Sequence, residues 1–549
     1  MSNPTNKSNV SRAFNNPRLQ GFLMLFVLVL AAGLSVAQQF PLGVTPASAS
    51  PDLFSAERAL TLLPAIASEP HPAGSKAQEK VRDYIFQQLS ALGLEVETQP
   101  FSSGENVVAR LRGSDSTGAI VILAHYDSRP AGPGAADNGA GVAALLEVLR
   151  ALVAGPLPRN DVIALFDDNE EQGWIGTRAF TTEHPWMADV RVAISLDTAV
   201  RGVVHVNETG PRNGKLVQAL ARAYRHGWAW MSASGGGNYD SGPFISSGLQ
   251  ALSLEDNYAF KEQHTENDRI EIISLASLQQ LGGQALAVAR ELGDLDLSDL
   301  WGEHQTFLAV PLIGLFHYPQ AWTLPLAITA AVLLLAAIVF ALRRRVAGWG
   351  GLLVGLVAII VAALLAGVLV SALWSQVPKL LSWNTSVWPE WPEMVPPNGA
   401  LILAVFALLA LALAIVAYWL SRRVSRRADL ALSGLVPFAV LALVFASSEP
   451  RLAIIPLWPV LIGAIGWLIS LAFVKNTAWT VDLPALLAAV VLWLVIPALI
   501  FGTFFGSGLN EAATLAAVLA LFILVELPAI EGALRRLRGE VQPATSERK

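Results

Sequence analysis

Hydrophobic and polar positions follow two different rhythms along this chain. From residue 50 to about 297, short apolar runs alternate with stretches of helical periodicity. Gln78 to Leu92 repeats its apolar residues at helical spacing and leads into an extended stretch, Leu94 to Phe101. Ala119 to Ala124, Val162 to Phe166 and Val192 to Leu196 are short apolar runs of the kind seen in parallel strands buried on both faces, and Ala251 to Leu254 is strand-like. Val142 to Val153, Lys215 to Arg225 and Ser274 to Glu291 read as helices. Strands alternating with helices predict an α/β domain: a mostly parallel sheet sandwiched by helices.

The second rhythm is unbroken hydrophobicity. Leu324–Leu342, Gly350–Trp374, Leu401–Leu420, Leu430–Ala446, Leu452–Val474, Leu483–Phe505 and Ala512–Ile530 are apolar blocks of spanning length. With Leu19–Ala37 near the start they predict eight spans, seven of them in an all-α membrane domain over 323–531. Phe307 to Phe316 is apolar but too short to cross, and reads as an interfacial or packing segment within a connector over 298–322. Glu526 stands out as an ionisable residue near one end of the last block.

Composition supports this division. Apolar residues make up 53% of the 549 and charged residues 15%, against about 25% charged in an ordinary soluble domain. The net charge of −6 offers no basic footprint for a nucleic acid. There is no cysteine, which excludes disulfides and thiolate metal sites, so any metal must be held by histidine and carboxylate.

Basic residues orient the spans. Arg343-Arg344-Arg345 follows the second, Arg422, Arg423, Arg426 and Arg427 the fourth, and Arg535, Arg536 and Arg538 the eighth. By the positive-inside rule those ends are cytoplasmic. Alternation then makes 1–18 a cytoplasmic N-terminus, 50–297 an extracytoplasmic domain and 532–549 a cytoplasmic basic tail. Trp383, Trp388 and Trp391 fit an outer interfacial loop. Residues 19–37 read either as a cleaved signal peptide, with Ala47-Ser48-Ala49 as a cleavage site, or as a retained transmembrane signal anchor; their length favours the anchor. Short basic termini and the lack of cysteine suit a bacterial plasma (inner) membrane. Oligomeric state is not readable.

The predicted strands run into turns rich in acids and histidine. The first gives His125-Tyr126-Asp127-Ser128, followed by Asp137-Asn138-Gly139-Ala140-Gly141 at the opening of a helix. The second gives Asp167-Asp168-Asn169-Glu170-Glu171, and the third ends at Asp197. Far downstream stands His264-Thr265-Glu266-Asn267-Asp268. Each piece alone has an ordinary reading: a turn or helix cap at Asp137 and Asp197, a hydrogen-bonded histidine at 125, a solvated acidic pair at Glu170-Glu171, a surface loop at His264. The acidic run lacks the alternating spacing of a calcium loop. Open α/β sheets bind ligands at the carboxyl ends of their strands, so these residues would converge on one edge.

In that order, H-x-D, D-N-G-x-G, E-E-x-G, a strand-end Asp and H-T resemble the di-zinc aminopeptidase family of zinc exopeptidases, over roughly 65 to 295. His71-Pro72-Ala73-Gly74-Ser75 is similar to a histidine-proline turn of such domains. A soluble domain followed by many spans is closest in layout to the family's vacuolar and endoplasmic-reticulum membrane metallopeptidases. The resemblance implies two Zn2+ ions per chain: His125 and Asp197 on one, Glu171 and His264 on the other, and Asp137 bridging. It also implies that Asp127 orients His125 and that Glu170 is the general base. The implied activity is metal-dependent hydrolysis at a peptide terminus, as an aminopeptidase acting on peptide substrates. Around Gly237-Asn238-Tyr239-Asp240, Asp240 fits the family's pattern but Tyr239 replaces a serine; Tyr239 is a candidate for the oxyanion or for a packing role. Two other functions compete: acyl transfer as in glutaminyl cyclases, around one zinc, and a transporter or scaffold whose soluble domain only binds peptides.

Overall fold

The computed structural model describes residues 16–200, 202, 204–224, 228–233, 240–256, 262–380, 399–474, 477–507 and 512–540. Tyr239 and the tryptophans at 383, 388 and 391 lie outside these residues. Two compact units emerge, one of residues 38–320 and one that combines 1–37 with 321–549.

The first unit is built on a ten-stranded sheet in the order β1-β2-β4-β3-β5-β8-β6-β7-β9-β10. The strands are β1 (Glu95–Phe101), β2 (Gly104–Leu111), β3 (Ala119–His125), β4 (Asp161–Asp167), β5 (Val190–Asp197), β6 (His205–Thr209), β7 (Trp228–Ala233), β8 (Gln250–Glu255), β9 (Gln305–Val310) and β10 (Gly314–Pro319). The sheet is mixed. Its central run β4-β3-β5-β8 is parallel throughout, and antiparallel pairs flank it on both sides.

Why the centre is parallel can be read from its residues. Every residue of β3 and of β4 is buried, which requires cover on both faces. Successive side chains alternate between two cores, as the strand period of two demands. Ile120, Ile122 and Ala124 face a large core with the helices Lys76–Ala91, Ala140–Ala154 and Leu275–Gly293. Ala119, Val121 and Leu123 face a smaller core that includes Phe180 and Phe244, from the helices Ile175–Glu183 and Gly242–Ser246. Parallel strands all end on one edge of a sheet. Here the register pairs His125 with Asp167 and Asp197 with Glu255.

The segment expected to be interfacial or packing forms strands that pack in the first unit. Residues 305–319 form an antiparallel hairpin that extends the sheet, and all six residues of β9 are buried. An apolar run too short to cross a bilayer has satisfied its backbone groups by strand pairing. The compact unit accordingly runs to residue 320 rather than ending near 297.

Among the described residues, the second unit holds eight helices that are long and apolar enough to cross a membrane, by length and composition: Pro17–Ala37, Gln320–Arg343, Trp349–Trp374, Leu401–Arg422, Arg427–Ser448, Ile454–Phe473, Ala478–Val495 and Ala512–Leu537. The last continues to Leu537, so Glu526 sits in mid-helix rather than near its end. Small residues set the close approaches, as is usual between helices in lipid. Pro17–Ala37 buries Gly21, Met24, Leu28, Ala31 and Ser35, a single stripe, against its neighbours. Several of the orienting arginines are engaged within this unit. Asp482, fully buried, pairs with Arg427 and, at 2.7 Å, with Arg536. Gln20 accepts a hydrogen bond from the same Arg536. Arg422 pairs with Glu531 at 2.8 Å.

A β-carbon at Gly21 would lie 2.5 Å from the carbonyl oxygen of Ala533, whereas one at Gly33 would meet nothing within 4 Å. Gly21→Leu is therefore expected to cost about 1–3 kcal/mol by overpacking, read as a lower melting temperature in detergent, with Gly33→Leu close to neutral. Equal melting temperatures would mean that the first helix does not pack on the last.

Candidate metal centre

The chain brings five donors together at the carboxyl edge of the parallel strands. His125 ends β3 and Asp197 ends β5. Glu170 and Glu171 form a short helical turn, Glu170–Gln172, just beyond β4. Asp137 lies between β3 and the helix Ala140–Ala154, and His264 lies in the segment after β8 with a φ of 59°. His125, Asp137 and Asp197 each offer one ligand atom, all within 4.8 Å of one another, and Asp137, Glu171 and His264 do the same. Asp137 belongs to both groups.

The contacts show how it is shared. Asp137 Oδ1 lies 3.2 Å from His125 Nε2, and its Oδ2 lies 2.8 Å from His264 Nε2. His264 Nε2 is also 3.3 Å from Glu171 Oε2. The Glu170 carboxylate stands beside both groups and in neither, its Oε2 4.0 Å from His125 Nε2. The other nitrogen of His125, Nδ1, is 3.1 Å from the backbone carbonyl of Asp127 and 3.6 Å from its carboxylate. Asp127 Oδ1 accepts the backbone N–H of Glu170 at 3.1 Å. Asp127 thus lies against His125 Nδ1 through both its carbonyl and its carboxylate, and its carboxylate also holds the start of the Glu170 turn.

The site's electrostatics favour a cation. Burial, and then the nearby Asp137, pushes the Asp197 carboxyl up to about 7. Burial opposes charge on His264, yet its contacts with Asp137 and Glu171 raise it to about 10. Burial likewise opposes charge on His125, and Glu170, Asp127 and Asp137 outweigh it. Asp137 is lowered: burial works against its charge, and the two histidines prevail. Both histidines thus face closely grouped carboxylates. Among the described residues, Asp197 Oδ1 and Glu171 Oε1 are buried oxygens with no hydrogen-bond partner. An unpaired buried carboxylate oxygen is costly unless it binds a cation. Two imidazoles and three carboxylates, with two oxygens free, suit zinc.

Several supporting residues escaped the sequence reading. Asp268, buried, accepts the backbone N–H of Ala136 at 2.6 Å and of Asp137 at 3.2 Å, so it ties the His264 segment to the shared carboxylate. Its place four residues after His264 was the available signal. Gln263 donates to Asp137 Oδ2 at 2.9 Å. Asn138 holds the Leu196 carbonyl at 2.8 Å, which links the Asp137 turn to the end of β5. Arg129 places Nε 2.5 Å from Glu171 Oε2. The His71 turn is also accounted for: its N–H donates to Ser128 Oγ at 2.9 Å. Two glycines allow the close packing. A side chain at Gly132 would strike the Thr265 carbonyl, and Gly134 has a φ of 62° with Asp137 O 2.7 Å from where its β-carbon would be. Asp240, the family-like acid, is buried, and its Oδ1 has no hydrogen-bond partner among the described residues.

Residues 106–289 match the model of Peptidase family M28. The chain is 31% identical over 243 residues to "Endoplasmic reticulum metallopeptidase 1" of Rattus norvegicus, a match covering 41% of this chain and 26% of that protein. It is 31% identical over 261 residues to "Vacuolar membrane protease" of Candida albicans (strain WO-1), covering 44% of this chain and 31% of that protein. The chain thus spans about a quarter to a third of the length of these curated relatives. Among solved structures, the aminopeptidase from Aneurinibacillus sp. strain AM-1 is 15% identical, with a TM-score of 0.40, covering 44% of this chain and 94% of that one.

Asp268→Ala leaves two buried backbone N–H groups without acceptors. It is expected to weaken zinc binding by about 10- to 100-fold, measured by competition with a chelator of known affinity. The exposed neighbour substitution Glu266→Ala should leave that affinity unchanged. Parent-like affinity in Asp268→Ala would show that the Asp137 turn holds itself.

Proposed function

We propose that this chain is a membrane-embedded zinc exopeptidase that hydrolyses peptide bonds, in aminopeptidase fashion, with two zinc ions per chain. The observation that carries the reading is the pair of donor groups joined at Asp137. His125 and Asp197 would hold one ion, Glu171 and His264 the other, and Asp137 both. Bound there, zinc supplies Lewis acidity and makes water a nucleophile at neutral pH.

The remaining work falls to the chain's own side chains. Glu170 is anchored through its backbone N–H on Asp127 and directs its carboxylate to the edge of both donor groups. From there it accepts the proton of the attacking water and returns it to the nitrogen of the leaving amine. The strand ends hold the donors in place, so little rearrangement accompanies the reaction. The acidic lining attracts a free α-ammonium group, which supports attack at an N-terminus. The basic helix ends support a domain on the extracytoplasmic side of a plasma membrane, with both termini in the cytoplasm.

The test is a zinc count on detergent-purified protein, with hydrolysis of N-blocked, C-blocked and free peptides, beside Glu170→Gln. Expected are two zincs per chain, cleavage stopped by N-blocking, and activity reduced by about 100- to 10,000-fold in the variant with its zinc retained. Removing zinc with a chelator should abolish cleavage and lower the domain's melting temperature, since binding only the folded state stabilises it. No bound metal, or hydrolysis indifferent to Glu170, would overturn the proposal.

A further inference from the structure

We infer that Arg129 reads a carboxylate on the substrate, so that the site selects peptides with an acidic group close to the cleaved bond. This rests on the peptidase reading and narrows its substrate class.

Arg129 follows the His125-Tyr126-Asp127-Ser128 turn and lines one cleft with Gly132, Asp137, Glu171 and His264. Its side chain is 33% exposed while Nε is buried, so the exposed part is elsewhere on the side chain. Its one ionic neighbour among the described residues is Glu171, through Nε at 2.5 Å, and that nitrogen makes no aligned hydrogen bond. The two terminal nitrogens take no partner among the described residues.

That arrangement leaves a charge imbalance. Glu171 Oε2 already faces both Arg129 and His264, and Glu171 is the only carboxylate that Arg129 meets among the described residues. Once Glu171 serves as a metal ligand, its charge is spent on the metal. Arg129 then stands as a cation beside divalent ions. Repulsion at this range is substantial in a half-buried cleft, and it is relieved by an anion from outside. The planar guanidinium presents two parallel N–H donors that match a carboxylate. A peptide can bring that carboxylate from two sources: the C-terminus of a very short substrate, or an acidic side chain.

The experiment measures binding rather than turnover. Zinc-loaded protein carrying Glu170→Gln is titrated by calorimetry with Ala-Ala, Ala-Ala-amide, Ala-Glu-amide and Ala-Gln-amide. Expected is that at least one carboxylate-bearing ligand binds about tenfold or more tightly than its amide counterpart. The pair that shows the gap identifies the source. Adding Arg129→Gln should close the gap with two zincs still bound, and Arg129→Lys should restore only part of it. Equal binding of acids and amides by the parent would overturn the inference while leaving the peptidase reading intact. So would Arg129→Gln protein that loses zinc and binds all four ligands equally poorly, because Arg129 would then merely orient Glu171. Failure of every peptide to bind the parent would defeat both readings.

Discussion

The carboxylate of Asp137 is held between two histidines that arrive from opposite directions in the chain. One oxygen faces His125 at the end of β3, and the other faces His264 in the segment after β8. An aspartate is short, so it can bridge only if its backbone is placed closely. That placement comes from Asp268, whose carboxylate takes the N–H groups of Ala136 and Asp137, and from Asn138, which grips the carbonyl of Leu196. Three separate segments are thereby registered against one residue. The glycines at 132 and 134 belong to the same constraint, because a side chain at either would push the segments apart.

The sheet makes such a convergence possible. Four buried parallel strands end on one edge, and the register sets His125 level with Asp167 and Asp197 level with Glu255. Residues 72 positions apart therefore become neighbours without any long side chain. Antiparallel strands at either side extend the frame but contribute none of the five donors. A rigid, doubly covered centre suits a site in which small displacements of ligands are costly.

The central strands are legible in the sequence because a short, unbroken apolar run bounded by turn residues has to be covered on both faces, and a buried strand achieves that. β3, β4, β5 and β8 all appear within a few residues of their expected bounds. β2, with Glu105 and Asn106 near its start, carries too mixed a pattern, and its pairing partners are settled by tertiary contacts. The β9–β10 hairpin is not among the strands expected, because hydrophobicity alone does not distinguish a buried strand from an interfacial segment; the difference lies in where the backbone hydrogen bonds go. In the site, the five donors are visible as an ordered set, whereas Asp268, Gln263 and Arg129 are not. Their contacts span 131 residues from Asp137 to Asp268, 126 from Asp137 to Gln263 and 42 from Arg129 to Glu171 (171 − 129), and only the place of Asp268 close after His264 gives a local signal.

Two acids among the helices of spanning length are paired with arginine, whereas Glu526 is buried with one oxygen lacking a hydrogen-bond partner among the described residues. Among the helices of spanning length, Asp482 is matched by Arg427 and Arg536, and Glu531 by Arg422 and the hydroxyl of Tyr418. That is what burial demands of a charge with a structural role, since breaking a buried pair costs about 3–5 kcal/mol. At the strand ends the chain had the same means available. Arg110, two strands away in the same sheet, is buried against Asp161 and also meets Asp189. Yet at the donor site, among the described residues, carboxylates outnumber cationic side chains, and free oxygens remain on Asp127, Glu171 and Asp197. Several unpartnered carboxylate oxygens gathered on one strand edge favour positive charge from outside the chain, and divalent cations would meet that demand with the fewest groups.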